Sequence, residues 1–176
     1  MSQPEAAQPA KLVIGIFSAQ TALIAEAAHD LAGCFGAIDV VSSWFDFDFT
    51  DYYDLEMGRP LRRRLLVFRQ PVAQTSLADI KCRTNALERH FCREGRRRVN
   101  IDPGYLLKER FVLATGKNYT HRIYLGRGIY ADLTLIYQEG GYRPLPWTYP
   151  DYADAAMRDF LLLVRRRFDA ELKSAE

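Results

Sequence analysis

Hydrophobic positions along this chain switch between a period of two and a period near 3.6, and the switches mark its elements. Lys11 to Phe17 is a short apolar, β-branched run that predicts a strand. The stretch Ser18–Phe35 then places Ile24, Ala27, Leu31 and Phe35 at helical spacing, with Gly36 to close it. Ile38 to Phe49 returns to strand spacing, where Phe45, Phe47 and Phe49 alternate with Asp46 and Asp48, and after a Tyr52–Pro60 connection Leu61–Gln70 reads as a further strand. Ser76, with Asp79 in the first turn, predicts the N-cap of a second helix whose stripe is Ile80, Thr84, Leu87 and Phe91 and which ends near Gly95. Arg97, Val99 and Ile101 alternate with Arg98, Asn100 and Asp102 in a strand that Pro103-Gly104 interrupts. The order βαββαβ predicts an α+β fold with a ferredoxin-like core, two helices on one sheet face and the other face open.

The remaining chain elaborates that core. Phe111–Thr115 reads as a strand or short helix, and His121–Leu125 with Ile129–Tyr137 forms a β-hairpin around Gly126-Arg127-Gly128. After the Gly140-Gly141 turn, Pro144 to Pro150 is extended or looped, and a C-terminal helix begins near Asp151 or Asp154. Its stripe of Met157, Leu161, Val164, Phe168 and Leu172 requires a docking surface. Residues 1–10 form a flexible tail and residues 11–176 a single α+β domain, with no internal repeat.

Composition narrows the partners. At 176 residues, 48% hydrophobic and 26% charged, the chain is of ordinary globular make-up, and a net charge of +2 gives no bulk attraction for a polyanion. The triplets Arg62-Arg63-Arg64, Arg96-Arg97-Arg98 and Arg165-Arg166-Arg167 read as solvated faces, so nucleic acid is disfavoured as a partner. The opening MSQPEAAQPA lacks the cationic start and apolar run of a signal peptide, and the longest apolar runs fall far short of the ~20 residues that cross a bilayer. Cys34, Cys82 and Cys92 are odd in number, form no C-x-x-C pair, and read as reduced thiols with packing roles. A cytoplasmic protein without membrane contact is expected; oligomeric state is not fixed by these features.

Strand alternation separates the faces. Ile129, Ala131, Leu133 and Leu135 take the buried face of the hairpin and leave Tyr130, Asp132 and Thr134 opposite; Ile123 and Leu125 bury, so Arg122 and Tyr124 join the polar side, as do Arg98, Asn100 and Asp102. On such a surface Arg98 and Arg122 can pair with an anion, Asn100 can orient it, and Tyr124 or Tyr130 can stack on a ring, with Lys117 and His121 at the rim. The same charges can equally neutralise one another across strands. For catalysis the candidates are Asp102, Asp132 and His121, although alternation turns His121 toward Ile123 and Leu125. Asp46, Asp48 and Asp51 are weak candidates for a hard cation, lacking the Gly and closing Glu of a calcium loop. Tyr52, Tyr53, Trp147, Tyr149 and Tyr152 can wall a base or sugar, or seal a core.

Specific cofactor chemistry finds no motif. Gly116-Lys117 resembles the end of a phosphate loop, but Phe111 occupies the first Gly position and Asn118 the Ser/Thr position. G-x-G-x-x-G, G-x-S-x-G, H-E-x-x-H and N-K-x-D are missing from the sequence, and no cofactor is expected.

Four phrases carry a resemblance: Asp48-Phe-Thr-Asp-Tyr-Tyr53, Arg97-Arg-Val-Asn-Ile-Asp-Pro-Gly-Tyr-Leu106, His121-Arg-Ile-Tyr-Leu-Gly126 with Gly128-Ile-Tyr-Ala131, and Pro146-Trp-Thr-Tyr-Pro-Asp-Tyr152. Over nearly the whole chain after the tail they resemble an uncharacterised prokaryotic family, domain of unknown function 4416. The resemblance implies no activity and carries over no catalytic residue. The residues themselves support a binding domain for a small anionic or nucleotide-like ligand. Two alternatives stay open: an enzyme acting on a phosphorylated or carboxylated small molecule, and an interaction module that uses the aromatic Pro146–Tyr152 segment.

Overall fold

A computed structural model of the chain describes residues 1–175. Residues 1–9 are exposed and without regular structure, whereas Ala10, assigned to the tail by its sequence, is fully buried and bridges to Val72 through paired backbone hydrogen bonds.

The first strand, β1 (Lys11–Ser18), is buried along its whole length because both of its faces are covered. Helix α1 (Thr21–Phe35) follows and closes at Gly36, whose φ of 91° suits a residue without Cβ. The aromatic-acidic run that alternation reads as one strand is two short ones, β2 (Ile38–Val41) and β3 (Phe45–Asp46). Both pair with β4 (Arg62–Phe68), and between β3 and β4 lies the one-turn helix α2 (Asp54–Met57). Helix α3 (Leu77–His90) starts one residue after Ser76, which does not cap it: the Ser76 hydroxyl donates to the Ala73 carbonyl within a short 3-10 turn. Strand β5 (Asn100–Leu106) runs straight through Pro103-Gly104. Strand β6 (Arg110–Thr115) resolves the choice between strand and helix, and the hairpin is β7 (Arg122–Gly126) with β8 (Ile129–Gln138). A further short strand, β9 (Gly141–Pro144), pairs with β8 where sequence indicated only a turn and a Pro-rich loop. Helices α4 (Pro150–Ala153) and α5 (Ala155–Ala175) complete the chain, the Asp154 carboxylate accepting from the Ala156 amide at the start of α5.

Among the described residues all nine strands belong to one antiparallel sheet of order β2-β4-β1-β5-β6-β8-β7, with β3 beside β4 and β9 beside β8. Leu12, Ile14 and Ile16 face α1 and α3 on the first side, packed with Leu23, Ile24, Leu31, Ile80 and Phe91. Val13, Leu65, Val67, Leu106 and Phe111 face the second side, where Met157, Leu161, Val164 and Phe168 of α5 cover them. Each of those four α5 side chains is at most 1% exposed, and burial of one is worth ~1.5–3 kcal/mol relative to solvent. The C-terminal helix therefore covers only part of the second face. The part across the N-terminal half of β5 and the C-terminal end of β6 is left to other walls.

One correction concerns register and three concern burial. A bulge opposite Phe111 and Val112 takes up Thr134, so Leu135 packs on the α5 side and not with Ile129 and Leu133. On the edge strand β7, Ile123 and Leu125 are 71% and 39% exposed, outside the cluster that Leu77 and Ala78 form with Ile129 and Val112. Arg63 departs furthest from the solvated triplets, at 2% exposure, and Arg97 is half-buried against Glu56. Cys34, expected to pack inside, is exposed.

Candidate functional site

The site begins with a missing hydrogen bond. Strand β5 pairs with β6 only from Gly104 to Leu106, and Pro103, which has no N–H, stands where the two strands part. Beyond it the Ile101 backbone is served by side chains of α3: the amide donates to Glu88 Oε1 at 2.6 Å and the carbonyl accepts from Lys81 Nζ at 2.8 Å. Lys81, Asn85 and Glu88 are four and three residues apart, hence on one helix face. They close the gap from the first side of the sheet. At Gly104 the strands approach closely: a Cβ there would lie 2.5 Å from the Val112 carbonyl oxygen. The adjacent divergence opens a cavity of about 520 Å³, within the range of small-molecule sites.

Its floor is Asn100 and Asp102, which share the second face of β5. One wall is aromatic, built from Phe47, Phe49, Tyr52 and Tyr53 of the β3–α2 connection; the opposite wall is Leu113 to Lys117 at the end of β6. Tyr149 and Tyr152 close the third side. Burial pushes the phenols of Tyr53 and Tyr152 up to about 12, so both stay protonated, uncharged donors at neutral pH.

Four cations line the cavity, and three are engaged. Arg63 pairs with Asp151, approaches Asp102 at 3.2 Å, and lies over the rings of Phe17, Phe47 and Tyr152. Arg97 makes a two-pronged pair with Glu56 at 2.8 and 2.6 Å, which holds the Glu56 carboxyl below its ordinary range. Lys81 lies 3.9 Å from Asp102. Lys117 enters no salt bridge among the described residues; its ammonium sits over the Tyr52 ring at the cavity mouth, 4.9 Å from the ring centre. Asn100 Oδ1 accepts from Arg97 at 3.1 Å, which orients the amide and leaves Nδ2 buried without a partner.

Of the residues singled out by sequence, Asn100, Asp102, Lys117 and Asp132 line this cavity, as do Tyr52, Tyr53, Tyr149 and Tyr152 of the aromatic set. Arg98 lies outside it, bonded to Gln20 at 2.7 Å, because β5 begins only at Asn100 and alternation has no hold on the residues before it. Arg122 and Asp132 are cross-strand partners 2.8 Å apart, the mutual neutralisation that alternation left open. His121 is not turned away: its Nε2 is 3.3 Å from Asp132 and its ring stacks on Trp147 at 4.9 Å, since Thr120 is in a turn and strand parity starts only at Arg122. Tyr124 and Tyr130 pack on each other beyond the mouth. Trp147 Nε1 donates to the Leu133 carbonyl, Thr148 to that of Thr134, and the Tyr149 hydroxyl accepts from Arg122, so the Pro146–Tyr152 segment is tied to the sheet while Trp147 and Tyr149 stay partly exposed. Asp46 is paired with Arg62, and no group of three or more metal-ligating side chains occurs among the described residues. No helix among them is long and apolar enough to cross a membrane.

Sequence reasoning missed Arg63, Lys81, Glu88 and Arg97. The spacing of Lys81, Asn85 and Glu88 beside the apolar stripe of α3 was an available signal; Glu88 is only 9% exposed. Desolvation raises its carboxyl above the ordinary 4.5, against the opposing pull of Lys81 and the Ile101 amide. Between 4.5 and that raised value the native state binds more protons than the unfolded chain, so this carboxyl makes stability fall as pH rises. Glu88→Gln keeps an acceptor for the Ile101 amide and removes the ionisation. Its stability relative to wild type is expected to improve between pH 4.5 and pH 7 in paired thermal melts; a difference independent of pH would contradict this.

No curated protein and no solved structure gives a significant match to the chain. A family model matches residues 8–168, from the end of the exposed tail to within α5, and the chain therefore belongs to the family described as Domain of unknown function (DUF4416).

Proposed function

We propose that the chain is a binding domain for a small, ring-bearing anion held in the cavity between β5, β6 and the β3–α2 connection. One observation carries this reading: Lys117, a cation with no carboxylate partner among the described residues, stands at the mouth beside the exposed ring of Tyr52, above a cavity lined by further aromatics. An anionic group compensates the one and a planar or apolar ring face covers the other. The site moves accordingly from Arg98, Arg122, Tyr124 and Tyr130, whose side chains are engaged elsewhere, to Lys117, Asn100 and Asp102.

The order β2-β4-β1-β5, with α1 and α3 on one face, supports a ferredoxin-like reading of the core, and the continuous sheet supports a single domain from residue 11 onward. Enzymatic use of the cavity is the second reading. It rests on Asp102, whose carboxylate meets the cavity between Arg63 and Lys81, in preference to Asp132, which Arg122, His121 and Thr134 already surround. For the Pro146–Tyr152 segment, the hydrogen bonds of Trp147, Thr148 and Tyr149 to β8 and Arg122, with the cavity beside Tyr149, favour a ligand over a docked partner.

A thermal-shift screen of nucleotides, sugar phosphates and organic acids tests the reading. At ligand ~100-fold above Kd the expected stabilisation is ~2.7 kcal/mol, a rise of roughly 5–10 °C in Tm. Lys117→Ala and Tyr52→Ala are expected to abolish most of the shift while leaving the unliganded Tm near wild type, since both side chains are exposed. An equal shift in wild type and both variants, or none with any ligand, sinks the proposal.

A further inference from the structure

The floor of the cavity restricts what its occupant carries at the inner end. Asn100 is 4% exposed, its Oδ1 is taken by Arg97, and Arg97 is itself fixed by Glu56, so Nδ2 is an oriented donor without a partner. Two residues on, and so on the same face at a spacing of ~6.6 Å, Asp102 presents an acceptor-only carboxylate. Behind both stands Lys81, its ammonium held by the Ile101 carbonyl. An anionic group on this floor meets Asp102, Glu88 and Asp151; a cationic group meets Lys81, Arg63 and Arg97. A hydroxyl meets neither difficulty, because it accepts from Asn100 and donates to Asp102 with one atom. Two neighbouring hydroxyls on a saturated ring satisfy the pair together, and the ring's C–H face lies against Tyr53 and Phe49.

We infer that the cavity takes a phosphate ester of a polyhydroxylated ring, its hydroxyls read by Asn100 and Asp102 and its phosphate held at the mouth by Lys117. The inference rests on the binding reading above and names its ligand class. A free sugar phosphate and a nucleoside phosphate share this chemistry.

Titration calorimetry of the full chain with ribose 5-phosphate, AMP, 2′-deoxy-AMP, 2′,3′-dideoxy-AMP and inorganic phosphate tests it. Wild type is expected to bind a hydroxyl-bearing ligand about tenfold or more tighter than its deoxy counterpart, the factor appropriate to one hydrogen bond with a charged group. Asp102→Asn is expected to reduce that preference to about twofold while phosphate-dependent binding remains. Tight binding of AMP but not ribose 5-phosphate supports the inference with a nucleoside source; tight binding of ribose 5-phosphate supports it with a sugar source. Equal affinity for AMP and both deoxy analogues, with binding lost in Lys117→Ala, overturns the hydroxyl readout and leaves anion binding standing. Binding of none of the five overturns the inference, and the broader binding reading falls with it only if the organic acids of the thermal-shift screen also fail. The comparison of ligands on the wild-type chain needs no variant to fold.

Discussion

Replacing Arg63 by alanine is expected to cost ~3–5 kcal/mol of stability, the loss seen when one partner of a buried ion pair is removed. Three effects act together. Asp151, 7% exposed, is left as an unpaired charge under the sheet, Asp102 loses the cation 3.2 Å away, and the faces of Phe17, Phe47 and Tyr152 lose the guanidinium that fills the space between them. The loss is read from urea unfolding, by the midpoint at unchanged slope. A second measurement separates charge from packing. With Asp151→Asn added to Arg63→Met, the stranded charge is gone and the volume partly restored, so the double variant is expected to be more stable than Arg63→Ala. If Arg63→Ala costs under about 1 kcal/mol, Arg63 belongs with the solvated arginines after all. Because Arg63 and Asp151 anchor α4 over the cavity, ligand binding is expected to weaken along with the fold.

The second large effect is Gly104→Ala. The added Cβ would stand 2.5 Å from the Val112 carbonyl oxygen, 3.0 Å from Leu113 and 3.2 Å from Phe111; the first of these is backbone, which cannot swing aside. Strands β5 and β6 must separate where they are paired, at a cost of about 3 kcal/mol, the upper part of the range for an overpacked interior. Gly116→Ala is the control. Its Cβ would meet nothing within 4 Å, and a change within ~0.5 kcal/mol is expected. Equal effects for the two glycines in chemical denaturation would refute the close-approach argument.

The cavity shows how far local reading carries. Asn100, Asp102 and Asp132 were assigned to one face by alternation, and they share one in the sheet, because a strand's period depends only on its own backbone. The same rule failed wherever the strand ended or bulged: at Arg98 before β5, at His121 before β7, and at Leu135 past the extra residue Thr134. Lys81 and Glu88 escaped notice for a different reason. A Lys and a Glu in a helix read as solvent-facing unless something in the fold requires their polar ends, and here it is the Ile101 backbone, orphaned by the parting of β5 from β6.

From the sequence alone came the α+β class, the succession of long strands and helices, the docking stripe of α5 and the resemblance to the family that covers residues 8–168. Those are properties of periodicity and of local phrases, which neighbouring residues carry without reference to the rest of the chain. Tertiary structure decided which face α5 covers, where β5 and β6 diverge, and which arginine of a triplet is buried. Burial of Arg63 depends on Asp151, 88 residues further along, and the unpartnered amide of Asn100 depends on Arg97 being held by Glu56. A charge or polar group can leave water only where distant partners meet it, and no local pattern records that meeting.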